Sequence, residues 1–256
     1  MKPYINVVLL SACILSGCAK DHGLSPPVDS ETVTVTIKVP PELIPERLKA
    51  MYRSTTCKYL TRGGSGQRIE VDGYHPVALT LRRQDGADLY KATLPKDGGG
   101  NCKWHLANIT FGVEYPEPNV YGPGVAYGSG GGVVVKFDDN RASRDGPEQS
   151  VAGDLILKKD YYPEIYEWFL GGYRKTVSLL GAGATYSVYK APHAREVYFE
   201  PILHSGYAVN SVGPKIKKPG NHAQITYPDG SIQSDGERGP DFRKLQAIRL
   251  KAEGKE

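Results

Sequence analysis

Apolar and polar residues alternate along much of the chain, with the period of two residues that indicates β-strands. The clearest case is the range 32–39, in which every second residue from Val33 to Val39 is apolar and the others are polar, until Pro40-Pro41 ends the run. Further strands are expected at 77–83, 89–94, 102–115, 133–137, 154–157, 176–180, 185–190 and 196–202. Asp85-Gly86 and Asp229-Gly230 have the composition of hairpin turns.

Three segments depart from simple alternation. The apolar pattern in 102–115 changes phase by one residue near Ala107-Asn108, which predicts a bulge or kink. Leu43, Ile44, Leu48 and Met51 fall at helical spacing, so a short helix is expected in 42–52. The tail at 242–252 fits a helix and a strand equally well, and both alternatives stay open.

The composition agrees with strands joined by turns, since the chain has 17 tyrosines, 30 glycines and 19 prolines. We therefore expect a mostly β protein, antiparallel and sandwich-like, or an α+β protein with few short helices. The charged range 138–150 is nearly free of apolar residues and predicts an exposed connection between two β-rich lobes, 32–137 and 151–256. Two sheets packed together are the other arrangement.

The first residues have the order of a signal peptide: Lys2, an apolar run from Ile5 to Leu15 that is too short to span a bilayer, and small residues before Cys18. Leu15-Ser16-Gly17-Cys18 resembles the lipobox of bacterial lipoproteins. The resemblance implies removal of residues 1–17, attachment of acyl chains to Cys18 and a lipidated tether at 18–31. Because Ala19 is not aspartate, it implies the periplasmic face of the outer membrane. An ordinary signal peptide and an uncleaved anchor are the alternatives.

The remaining cysteines and the charge limit the class of protein. Cys57 and Cys102 are the two cysteines left after the first eighteen residues, and two cysteines in an oxidising compartment usually form a disulfide. A redox or nucleophilic thiol is the alternative, although neither lies in a Cys-x-x-Cys motif. The net charge is +4, with Lys and Arg interleaved with Asp and Glu, so no nucleic-acid partner is expected.

The motifs of catalysis and metal binding are weak. There is no Gly-x-Ser-x-Gly motif. Ser187 and Lys190 match Ser-x-x-Lys, but that pair needs a helix and the range 185–190 alternates as a strand, which would place the two side chains on opposite faces. The histidines lie apart, without ligand spacing, and the glycines of 128–132 precede a strand rather than a helix. We therefore predict no catalytic residue, metal or cofactor, and no enzyme.

Aromatic residues provide the candidates for protein binding. Tyr115, Tyr121 and Tyr127 lie in a loop rich in Pro and Gly, and we predict that they contact a partner, with packing against the protein's own sheets as the alternative. A second group is Tyr161, Tyr162, Tyr166, Trp168, Phe169 and Tyr173. For this second group, packing against the protein's own sheets is the favoured interpretation.

Four stretches resemble a group of proteobacterial lipoproteins that are immunity proteins against type VI secretion lipase effectors: Pro41–Arg53, Gly98–Trp104, Asn108–Val113 and Gly130–Val135. The resemblance implies a periplasmic lipoprotein that binds and neutralises a phospholipase toxin, and it does not imply which residues touch that toxin. A structural or assembly lipoprotein of the cell envelope is the alternative.

Overall fold

The computed structural model describes residues 22–144, 146–237 and 239–255, and these form two mixed β-sheets packed together as a sandwich. Strands make up 50% of the described residues and helix 6%, which confirms the mostly β prediction. Cys18 and the predicted signal peptide lie outside the described residues.

Most of the strands are short, and the long ones are β3, β4, β8 and β12. In chain order the elements are β1 (Thr32–Lys38), β2 (Ile44–Pro45), β3 (Leu48–Arg62), β4 (Arg68–Leu79), β5 (Arg82–Arg83), β6 (Leu89–Pro95), β7 (Asp97–Gly99), β8 (Trp104–Glu114), a 3₁₀ turn (Pro118–Tyr121), β9 (Val125–Gly130), β10 (Gly132–Lys136), β11 (Glu148–Ser150), β12 (Leu155–Trp168), β13 (Arg174–Leu180), β14 (Tyr186–Lys190), β15 (Glu196–Leu203), β16 (Val209–Val212), β17 (Gln224–Thr226), β18 (Ile232–Gln233) and α1 (Phe242–Ala252).

Both sheets combine strands from distant parts of the chain. The first sheet has the order β18-β17-β16-β12-β15-β1-β6-β5; in addition, β13 pairs with β12, and β9 pairs with β13. The second sheet has the order β11-β14-β10-β8-β3-β4, and β2 and β7 each pair with β8. The antiparallel expectation holds for hairpins such as β5–β6 and β17–β18, whereas β1, β15 and β12 run parallel to one another. Both sheets contain strands from before and from after the range 138–150, so this range does not separate two sheets.

The core lies between the two sheets. Val33, Val35 and Ile37 of β1 are fully buried, as the alternation predicted, and they join one apolar cluster with Ile109 and other residues of the second sheet. Phe111 and Phe199, one from each sheet, meet edge to face with ring centroids 6.0 Å apart. Contacts of this kind contribute about 0.5–1.5 kcal/mol beyond the burial of area.

The predicted helix at 42–52 is wrong, because this segment forms β2 and the first part of β3. Leu48, Ala50 and Tyr52 are at most 2% exposed and alternate with more exposed residues. The segment is a strand with this period of two because β3 pairs with β8 on one side and with β4 on the other. The apolar residues at helical spacing were a coincidence of two overlapping patterns.

The bulge predicted near Ala107-Asn108 is confirmed. Met51 of β3 is paired with Asn108, while the next residue, Tyr52, is paired with Leu106, so Ala107 is the extra residue on β8. The insertion explains why the buried residues of β8 change phase along the strand.

The C-terminal tail is a helix, which resolves the alternative that the sequence left open. The side chain of Asp241 caps α1 by accepting hydrogen bonds from the backbone N–H groups of Arg243 and Lys244. Within the described residues, no helix is both long enough and apolar enough to cross a membrane.

The described part of the predicted tether, residues 22–31, is bound to the body of the protein. The backbone N–H of Ser25 donates to the carbonyl oxygen of Gly98 at 2.9 Å, and the indole N–H of Trp104 donates to that of His22 at 2.9 Å. Leu24 packs against the main apolar cluster. The N-terminal segment is therefore attached to the sandwich from His22 onward, rather than from residue 32.

Candidate functional site

The three loop tyrosines predicted to contact a partner point into the protein. Tyr115 is 5% exposed, and its ring lies 5.3 Å from that of Tyr121 and 6.2 Å from that of Tyr127. Tyr121 donates a hydrogen bond to the Tyr115 hydroxyl, and the Tyr127 hydroxyl lies 2.7 Å from the carbonyl oxygen of Gly130. Burial raises the pKa of all three phenols. The exposure on which the prediction depended is therefore missing for Tyr115 and incomplete for the other two.

The second aromatic group divides into a buried part and a part that is half-buried or exposed. Tyr161 and Tyr162 are at most 3% exposed and belong to the apolar clusters of the fold. The other four residues, Tyr166, Trp168, Phe169 and Tyr173, lie on or between β12 and β13, and we call them the aromatic tip. None of the four belongs to an apolar cluster of the described residues. The packing interpretation holds for the first part, whereas Trp168 and Tyr173 of the second part are exposed.

Stacking holds the rings of the aromatic tip. Tyr166 and Trp168, whose side chains share one face of β12, are stacked with centroids 3.9 Å apart, and Phe169 and Tyr173 contact across the turn at 5.4 Å. Trp168 is 36% exposed and Tyr173 is 65% exposed. Because the rings already restrain one another, a partner that covers them removes little rotamer freedom.

Basic residues surround the aromatic tip. The guanidinium of Arg174 lies 4.6 Å from the centroid of Trp168, and the ammonium of Lys215 lies 5.2 Å from that of Phe169. Lys217 and Lys218 follow in the same exposed loop, where Ile216 is 70% exposed. The surface thus combines aromatic area with positive charge, which suits a partner with an acidic patch.

The aromatic tip and the start of the described chain lie at opposite ends of the sandwich. Val35 of β1 and Leu155 of β12 are both paired with Val197, so the beginnings of these parallel strands are level. From there β12 continues for 14 residues to Trp168, which at about 3.3 Å per residue separates the two ends by up to about 40 Å.

The structure separates Ser187 from Lys190, as the strand interpretation predicted. Lys190 forms an ion pair with Asp139. Ser187 instead receives a hydrogen bond of 2.5 Å from Lys159, at a cavity of about 100 Å³. Burial lowers the pKa of Lys159, and the hydroxyl of Ser187 gives its partly buried amino group a polar partner.

Two of the histidines pair with carboxylates. His204 lies 2.6 Å from Asp160 and stacks on Tyr162, which in turn accepts a hydrogen bond from Arg249 of α1. His105 lies 3.2 Å from Asp138. The His204–Asp160 contact joins the end of β15 to β12, and the hydrogen bond from Arg249 to Tyr162 fixes α1 to β12, so this group holds the fold together.

Cys57 and Cys102 form the predicted disulfide. His22 lies beside the two sulfur atoms, but sulfur in a disulfide is not the thiolate that a metal ion binds. Within the described residues no other group of three potential ligands lies close together.

Comparison of the chain with protein-family models, with curated proteins and with solved structures found no match.

The sequence contained a signal for the aromatic tip that the prediction did not use. Phe169-Leu170-Gly171-Gly172-Tyr173 places two glycines between apolar residues, and the structure shows both glycines at positive φ. Two such glycines form a tight hairpin turn, and a turn lies at the surface. Aromatic residues beside it are therefore expected to be exposed.

Proposed function

We propose that this chain is a periplasmic lipoprotein, anchored to the outer membrane through Cys18, that binds and neutralises a lipase effector of a type VI secretion system. The lipobox-like residues at 15–18 support the anchor. The four stretches within 41–137 that resemble immunity lipoproteins support the class of partner. In this proposal the protein acts by occluding the toxin and has no catalytic step.

The observation that carries the proposed binding role is the exposed, stacked aromatic tip with its basic rim. Trp, Tyr and Arg are the residue types that contribute most to the free energy of protein association, and here all three occur within one hairpin. We assign the effector contact to the aromatic tip in place of Tyr115, Tyr121 and Tyr127, because those rings are used within the fold.

The position of the aromatic tip suits this role. A lipid on Cys18 would hold the end of the sandwich that contains His22 at the membrane, and the tip would lie up to about 40 Å further into the periplasm. A secreted toxin would thus meet the binding surface before it reaches the lipid that it attacks.

The function is tested by a growth competition. The parent strain, with its secretion system active, attacks a sibling that lacks this gene and the neighbouring effector gene, with or without this protein restored. Protection that requires this protein, and that disappears against an attacker lacking the effector, supports the proposal. If the attacker kills equally in both cases, immunity to that toxin is excluded, and co-purification with abundant envelope proteins would then favour a structural lipoprotein.

The binding surface is tested with matched variants in the same assay and with the purified effector. We expect Trp168→Ala to weaken effector binding by about 30-fold to about 1,000-fold, the loss of 2–4 kcal/mol that is typical of a central aromatic contact. Tyr74→Ala is the control, since Tyr74 is 51% exposed but lies on β4 in the other sheet. Equal affinity of both folded variants would refute the assignment to the aromatic tip.

A further inference from the structure

Residues 58–72 form an exposed two-stranded arm, which we call the β3–β4 arm. The pairing of β3 with β4 shifts between Ser54 and Lys58, and from there the two strands run in register to Arg62 and Arg68. No residue of the arm is buried. An isolated hairpin of this kind is only marginally stable in water, so a surface that covers it would stabilise it.

One face of the arm combines an apolar side chain with charged ones. Leu60, which is 71% exposed, shares this face with Arg62 and Arg68, because residues two apart on a strand point the same way and paired residues lie side by side. Glu70, which is paired with Leu60, lies on the same face and forms an ion pair with the lysine of the arm. Leu60, Thr61 and the two arginines line an open concavity of about 600 Å³.

The two arginines at the end of the arm face each other. Arg62 and Arg68 are directly paired across the hairpin, an arrangement that is unfavourable for like charges. Within the described residues neither side chain has an ion pair or a hydrogen bond. An anionic group between or beside them would remove the repulsion, and a phosphate suits guanidinium groups because it accepts two parallel hydrogen bonds.

The arm leaves the body at the point where the N-terminal segment is bound. The side chain of His22 lies within 4.8 Å of the sulfur atoms of Cys57 and Cys102, and Cys57 is the residue before the arm. Cys18 precedes His22 by four residues, a length of chain that spans at most about 14 Å. From Cys57 to Arg62 the strand covers about 17 Å. A lipid on Cys18 and the end of the arm can therefore lie at similar distances from the disulfide.

We propose that the β3–β4 arm lies against the phospholipid surface, with Leu60 in the interface and with Arg62 and Arg68 bound to lipid phosphates. This inference rests on the proposed lipid anchor at Cys18. The anchor keeps the arm at the membrane, and the arm fixes the orientation of the sandwich, so that the aromatic tip points away from the bilayer. A single anchor on its own would allow the body to rotate.

The test uses the full lipidated protein in vesicles of three parts phosphatidylethanolamine to one part phosphatidylglycerol, some of it brominated on the acyl chains. Leu60→Trp places a fluorophore on the arm, and Ile216→Trp is the control at the opposite end, where the exposure of the native residue is 70% against 71% for Leu60. The emission of the parent protein, from Trp104 and Trp168, is subtracted. We expect quenching for Leu60→Trp and none for Ile216→Trp.

The charge is tested in the Leu60→Trp background. Arg62→Gln or Arg68→Gln should shift the arm from the bound to the lifted position by about fivefold for each arginine, the equivalent of ~1 kcal/mol. Vesicle flotation is measured on every sample. Protein that floats without quenching at residue 60 overturns the arm proposal alone. Protein that does not float overturns the anchor, and the arm proposal with it.

Discussion

Removing the disulfide should destabilise the sandwich by an amount that the chain length between its cysteines sets. Cys57 and Cys102 are 45 residues apart, and they connect the base of the β3–β4 arm to the start of β8. In the chain-entropy relation, closing a loop of this length removes about 4 kcal/mol of conformational entropy from the unfolded state at 25 °C. The variant Cys57→Ala/Cys102→Ala loses that restriction without burying a new polar group.

The assay is urea unfolding of the parent and the double variant, each with and without reductant. With a slope of about 1–3 kcal/mol per molar urea, a loss of about 4 kcal/mol should lower the midpoint by on the order of 1–4 M in the variant. The slope should rise, since an unfolded chain without the link exposes more surface. Reductant should lower the midpoint of the parent to that of the variant, and leave the variant unchanged.

A specific result would refute this reasoning. If the double variant loses less than about 1 kcal/mol, well below the value for a loop of this length, the unfolded chain must already be compact around these cysteines. If reductant also lowers the midpoint of the variant, the reductant acts on something other than this bond, and the comparison with the parent would not measure the disulfide.

Three further predictions concern single side chains. Gly73→Ala should cost about 1–3 kcal/mol of unfolding free energy, because an added Cβ would lie 2.0 Å from the carbonyl oxygen of Cys57. In the control Gly64→Ala the added Cβ meets nothing within 4 Å, so stability should change by less than about 0.5 kcal/mol. Equal effects of the two variants in thermal unfolding would contradict the close approach at Gly73. Burial raises the pKa of Tyr52 to about 12, so the neutral phenol stabilises the fold fully below the unfolded pKa of about 10, and up to about 2.7 kcal/mol of this stabilisation is lost as the pH rises to about 12. In Tyr52→Phe the unfolding free energy should therefore fall less steeply over this pH range. An unchanged slope would show that Tyr52 does not titrate there. Arg249→Met should destabilise the protein by about 1.5–3 kcal/mol in urea unfolding, since it removes a charged donor at 2.8 Å from the buried Tyr162 hydroxyl; Arg243→Met, an exposed change on the same helix, should have little effect.

The sequence by itself determined the local conformation wherever one pattern acted alone. The alternation from Val33 to Val39 is the buried core strand β1, the phase change at Ala107 is the bulge, and Asp229-Gly230 is the turn of a hairpin. The pairing of Cys57 with Cys102 followed from their number. The strand, the bulge and the turn depend on residues close in the chain, and two cysteines can pair with each other in only one way.

Only the tertiary structure decided which strands are neighbours and which aromatic rings are exposed. The parallel pairing of β1 with β15 joins residues more than 150 positions apart, and no local pattern specifies such a partner. The segment at 48–52 could satisfy its apolar residues as helix or strand, and became a strand because β4 and β8 provide hydrogen bonds on both sides. Tyr115 is buried and Trp168 is exposed for the same reason. A ring is covered only if distant strands close over it, and at the end of β12 the described strands leave it open.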